Sequence, residues 1–226
     1  MTTTAITIAA PVNRSIPTWL PIIQGLAITT MAVDHASLWL VSGDIPALLR
    51  VTVGRLALPM FCFMIAWHAL HTADARRYAD RILFIALLAQ LPFMALRGEV
   101  LGNICVTLAA AAYLVAAVRH RDPAALVLGS VLSLATFQVE YGPLALGLIL
   151  ALLAAIRWPP LWLVPLLGWP LAQYGPSISA LSAALGVLGI LALVSTHLPP
   201  MRLPRWLTRW FYPAHLWGLL VLRALG

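Results

Sequence analysis

The chain has 226 residues, 62% of them hydrophobic and only 9% charged, with a mean hydropathy of +0.94. Soluble domains carry about a quarter charged residues, so this composition argues against a soluble enzyme and excludes a disordered chain. All 14 basic residues are arginine, giving a net charge of +7, and they sit between apolar runs. No basic stripe with interleaved aromatics is present, so nucleic acid is not an expected partner.

Apolar runs at 19–41, 48–70, 82–97, 103–118, 124–138, 143–157, 161–175, 178–197 and 208–224 predict about nine membrane-crossing helices. The expected fold is all-α, a polytopic transmembrane helix bundle forming a single integral membrane domain over 1–226. Residues 1–18 are read as a cytoplasmic segment and 19–224 as the bundle. Several runs are short, so 124–175 could hold two helices and a re-entrant piece. The segment before Trp19 lacks the apolar core and small-residue cleavage site of a signal peptide, so the first run is expected to remain.

Arginine placement fixes the expected orientation. With the N-terminus inside, inner segments carry ten arginines and outer segments three, Arg50, Arg97 and Arg223. That asymmetry follows the positive-inside rule and predicts N-inside and C-outside. Prolines at 59, 92, 143, 165, 170 and 213 predict kinks, each freeing a carbonyl that needs another partner.

The first run contains Asp34 and His35, and the second contains Gly54, Arg55 and Pro59. An isolated carboxylate at the bilayer centre costs at least about 2.5–3.5 kcal/mol, so Asp34 requires a partner or water. Asp34 and Arg55 are expected at one depth, on the order of 10 Å into the same leaflet, on antiparallel helices. Such a pair either holds two helices in register or supports chemistry. His35 favours chemistry, because an imidazole beside a carboxylate can take a proton from an amine and pass it on. Asp34, His35 and Arg55 are therefore the candidate catalytic residues.

Other polar residues fall at a similar level. Asn103 and Thr107, four apart on one helix face, join Glu140, Tyr141 and His215 as candidate substrate-binding groups. Each also has a bland reading as a solvated helix end or, for His215, as a donor to a carbonyl freed by Pro213. At the inner face, Arg76, Arg77, Arg81 and Arg205 are candidates for gripping phosphates, with topology and lipid contact as the alternative. His68 and His71 share a face without a third ligand, so no metal is expected. Cys62 and Cys105 lie in apolar runs and read as packing residues.

These landmarks, taken in order, resemble the TraX family of conjugative-pilin acetylases. The resemblance rests on Met31 to His35, Gly54 to Phe63 and Tyr78 to Arg81. It continues through Leu87 to Phe93, Asn103 with Thr107, Glu140 to Gly142 and Phe211 to Leu216, and covers roughly residues 24–220. The family is also distantly similar to multispanning acyltransferases that use acyl-CoA. The resemblance implies a multi-pass enzyme of the bacterial inner membrane, with acetyl-CoA as co-substrate and a membrane-held pilin as acceptor. Two departures stand out: Glu140 replaces an expected aspartate, and 157–205 matches little of the family pattern. Three rival readings remain: a pilin cyclisation factor, a noncatalytic pilin chaperone, and a proton-coupled carrier.

Overall fold

A computed structural model describes residues 17–225; the first 16 residues, including Arg14 and most of the expected N-terminal segment, lie outside it. All regular structure in the described chain is helical, apart from one isolated bridge between Gly102 and Val139. In chain order the helices are α1 (Leu20–Trp39), α2 (Asp44–Val51), α3 (Ala57–His71), α4 (Ala75–Arg97) and α5 (Ile104–His120). They continue with α6 (Pro123–Ala135), α7 (Gly142–Arg157), α8 (Trp169–Tyr174), α9 (Ile178–Val194) and α10 (Arg205–Leu225). Among the described residues two stretches are long and apolar enough to cross a membrane, Asp44–His71 taken across its break and Ala75–Arg97.

The expected run 48–70 is not one helix. It starts at Asp44 and is interrupted by a 3-10 turn at Val53–Leu56. Pro59 explains the interruption: its ring excludes the carbonyl four residues back, that of Arg55, and it has no N–H to offer. Arg55 thus sits in a helix break rather than within a helix. The run expected at 82–97 begins seven residues earlier, at Ala75. Asp74 caps that start, its side chain accepting the N–H of Arg77. Arg76, Arg77 and Arg81 accordingly ride on the first turns of α4. The run 161–175 is broken into 3-10, π and short α pieces, as its prolines 165 and 170 require.

Contacts at the helix ends fix the arrangement. Trp19 packs on Phe63 and Trp67, while Asp34 packs on Gly54, so α1 and α3 run antiparallel. Arg119, at the end of α5, donates to the carbonyls of Ala69 and Thr72 at the end of α3, so those two helices run parallel. The core is centred on α3 and α5, where Ala109 to Ala112 and Ala116 are fully buried. Small residues allow this close approach. Gly129 of α6 does the same, since a Cβ there would lie 3.0 Å from the backbone nitrogen of Leu114. The bundle therefore has one end with Arg76, Arg81, Arg119 and Arg205, and an opposite end where Asp34, Gly54, Asn103 and His215 stand with Arg50, Arg55 and Arg97.

Candidate active site

Helix geometry sends Asp34 and His35 in different directions, because successive residues diverge by about 100°. Both are buried, at 8% and 6% exposure. Asp34 lies against Gly54, whereas His35 faces α10. The partner of His35 is His215 rather than Asp34: Nδ1 of His35 is 2.7 Å from Nε2 of His215, with the rings nearly parallel at 10°. Nδ1 of His215 lies 2.9 Å from the carbonyl oxygen of Phe211, whose ring stacks on it.

This chain of contacts assigns the protons. A carbonyl only accepts, so His215 donates from Nδ1 and, when neutral, accepts at Nε2. His35 then donates from Nδ1, and its Nε2 keeps a free lone pair. That is the tautomer a general base needs, held by an orienting neighbour.

His35 and Asp34 line a cavity of about 1150 Å³ that extends the length of α1. From Leu20 to His35, both on its wall, the helix rises about 22 Å. At one end stand Arg81, Arg202, Arg205 and Arg209; at the other stand Asp34, His35, Glu140 and Tyr141. Between them the wall is mostly apolar, with Ile28, Met31, Phe61, Met64 and Ile85.

The sequence-derived candidates divide on this geometry. Asp34, His35, Glu140, Tyr141, Arg81 and Arg205 line the cavity, and His215 touches it through His35. Arg55 does not pair with Asp34; its Nη1 donates to the Tyr141 hydroxyl at 3.2 Å and its guanidinium lies over the Tyr174 ring. Among the described residues the only ion pairs join Arg76 to Asp80 and Asp122. That commitment, completed by Tyr113 donating to Asp80 at 2.6 Å, turns Arg76 away from the cavity. Arg77 is exposed and also off the wall.

Asn103 and Thr107 are likewise absent from the cavity wall. Asn103 caps α5, accepting from Cys105 and donating to Ala86 and Gln90, so its amide is fully used in joining α4 to α5. Thr107 is fully buried, without a partner for its hydroxyl. His215 does bond a carbonyl, but that of Phe211; the carbonyl freed by Pro213 belongs to Arg209.

Glu140 sits in the loop between α6 and α7. Burial pushes its carboxyl up to about 7, against the opposing pull of Arg97 and with help from the neighbouring charge of Asp34. At the other end, outside the helices, the Asp122 carboxyl is held below its usual value by the Ala125 N–H and by Arg76.

The sequence model described as TraX protein matches residues 20–223, nearly the whole chain. The chain belongs to the TraX family. No curated protein and no solved structure matches it. TraX membership carries a conjugation-related, pilin-associated role. The matched span includes every helix that forms the cavity, from α1 to α10.

Sequence reading passed over Tyr174, which lies far from any motif and meets Arg55 only in the fold, and the backing role of Gly54. A Cβ on Gly54 would sit 2.7 Å from Cγ and 2.8 Å from Cβ of Asp34. Gly54→Ala in this TraX protein should therefore push the helix break away from α1. The expected cost is about 1–3 kcal/mol, the range of core overpacking, read as a lower midpoint of thermal unfolding in detergent.

Proposed function

We propose that the chain is a multi-pass acyltransferase of the bacterial inner membrane that acylates the α-amine of a membrane-held pilin, with acetyl-CoA as donor. The arginine end of the cavity faces the cytoplasm and the carboxylate end faces outward, following the arginine asymmetry of the sequence. One observation carries the reading: a single cavity connects four arginines to a histidine whose hydrogen bonds leave one nitrogen free.

The four guanidiniums suit the phosphates of a coenzyme A thioester, since planar forks bond phosphate oxygens two at a time. The apolar wall keeps water from the thioester. His35 removes a proton from the attacking amine through Nε2, and His215 steadies the resulting imidazolium by accepting from Nδ1. The nitrogen–carbon bond forms, the carbon–sulfur bond breaks, and His35 returns its proton to the departing thiolate. Among the described residues no serine or cysteine is hydrogen-bonded to a histidine or carboxylate, which favours direct transfer. Cys62 and Cys105 are free and buried among apolar side chains.

Intact mass of the cognate pilin, made with and without this protein, tests the reading. A gain of one acetyl group is expected. A loss of one water would instead show cyclisation, and an unchanged mass would leave a docking or chaperone role. Transfer of radiolabel from acetyl-CoA by purified protein separates the enzyme from a proton-coupled carrier, which would show none.

A further inference from the structure

Attack on a thioester drives negative charge onto its carbonyl oxygen, and nothing said so far of His35 and His215 answers that charge. The wall beside them carries a hydrogen-bond donor with a proton to spare. Tyr141 borders the cavity at the His35 end. Its hydroxyl oxygen accepts from Nη1 of Arg55 at 3.2 Å, and among the described residues no hydrogen bond takes the hydroxyl's own proton. Arg55 itself stands off the cavity wall, with its guanidinium 5.5 Å from the centre of the Tyr174 ring. The cation therefore reaches the cavity only through Tyr141. A phenol whose oxygen is held by a guanidinium is the stronger donor through its O–H, because the two hydrogen bonds polarise one another.

The fold holds this hydroxyl in place from two sides. Tyr141 is in the left-handed region at φ +67, which a tyrosine rarely adopts, and Gly142 follows it at +61. The loop is pinned by the Glu140 N–H donating to the Gly102 carbonyl at 3.0 Å and by the Gly142 N–H donating to the Val139 carbonyl at 2.9 Å. From the other side, Asp34 adjoins His35 and packs on Gly54, and Gly54 adjoins Arg55, which reaches Tyr141. Base and hydroxyl thus meet one end of one cavity through a short series of contacts. Tyr212 borders the same end, but its hydroxyl is buried and no partner orients it.

We propose that Tyr141 is the oxyanion donor of the transfer step and that Arg55 is its positioning residue. This rests on the acyl-transfer reading and adds to it the group that meets the developing charge. As the nitrogen–carbon bond forms, the carbonyl π pair moves onto oxygen, which accepts the Tyr141 O–H. When the carbonyl re-forms, the carbon–sulfur bond breaks and sulfur leaves with the bonding pair, taking the proton that His35 drew from nitrogen. Tyr141 keeps its proton throughout. Arg55 holds the phenol oxygen, so the O–H has one direction in which to point.

The test uses the full chain in lipid nanodiscs with the cognate pilin and acetyl-CoA. Tyr141→Phe keeps the ring and removes the proton, so kcat should fall about 10²–10³-fold, the loss expected for one oxyanion donor, with KM for acetyl-CoA unchanged. Tyr78→Phe, on the same cavity at its arginine end, should keep the wild-type kcat; an equal fall there would overturn the assignment. Arg55→Met should also lower kcat, and adding it to Tyr141→Phe should cost nothing further, because Arg55 acts through that hydroxyl. Losses that multiply would make Arg55 a packing group and overturn its positioning role. With an acetyl thioester of an aromatic thiol, which leaves without a proton, the Tyr141→Phe deficit should persist. A deficit that disappears there would make Tyr141 the acid for the leaving thiol and overturn the oxyanion role. Wild-type transfer with unchanged kcat in Tyr141→Phe would overturn the hydroxyl's part and keep the acyltransferase reading. No wild-type transfer from any thioester would retire both.

Discussion

Replacing His35 with alanine should lower pilin acylation by about 10²–10⁴-fold, the usual contribution of a positioned general base, while the protein still inserts and folds. The loss should appear in kcat, because the imidazole acts on the proton in flight and adds little to ground-state binding. His215→Phe separates the base from its orienter. The new ring can still stack on Phe211, but the acceptor for Nδ1 of His35 is gone. One lost hydrogen bond predicts a smaller fall, about tenfold, again in kcat. Should His35→Ala and His215→Phe instead lower thermal stability equally and leave pilin mass unchanged from wild type, the pair is a helix–helix pin between α1 and α10. Acylated pilin with His35→Ala at the wild-type level would remove the histidine from the chemistry.

The placement of these residues shows what a linear chain can and cannot reveal. Each of the nine apolar runs falls on helical structure, because burial of apolar surface at helical period is a local property of the sequence. The break at 52–56 was half legible: Pro59 announces a lost hydrogen bond, but not that the chain answers it with a 3-10 turn at Arg55. The shared level of Asp34 and Arg55 along the helices was legible, and azimuth was not. Asp34 and Arg55 do come from neighbouring segments at one end of the bundle, yet the rotation of α1 points Asp34 at Gly54, and the turn points Arg55 at Tyr141. The His35–His215 contact joins positions 180 residues apart, so no local pattern could announce it.

On α4 the signal was present and unused. Tyr78, Arg81, Ile82 and Ile85 follow helical spacing and all line the cavity, whereas Arg76 and Asp80, four apart, pair with each other on another face. Reading that spacing would have kept Arg81 as a cavity residue and released Arg76 to structure.

That division makes the arginines a sharp test of the donor site. Arg81→Gln together with Arg205→Gln should raise KM for acetyl-CoA by about 10²-fold or more. Each guanidinium contact to a phosphate is worth about 1.5–3 kcal/mol, and contacts from α4 and α10 that share no partner should add. On the proposed reading the thioester would react at His35, at the far end of the cavity, so the rate at saturating donor should change little. Arg76→Gln makes the opposite prediction. It breaks two ion pairs, at 3.1 and 3.0 Å, and uncovers the ring of Tyr113, so it should loosen α4 from α5 and α6 and leave KM alone. Arg77→Gln, exposed and off the wall, should change neither quantity. Raised KM in all four substitutions alike would mean that basic charge at this end acts only by attracting anions to the membrane surface, an effect that salt screens within about 8–10 Å. A response confined to Arg81 and Arg205, and persisting at high salt, would locate the phosphates of the donor inside the bundle.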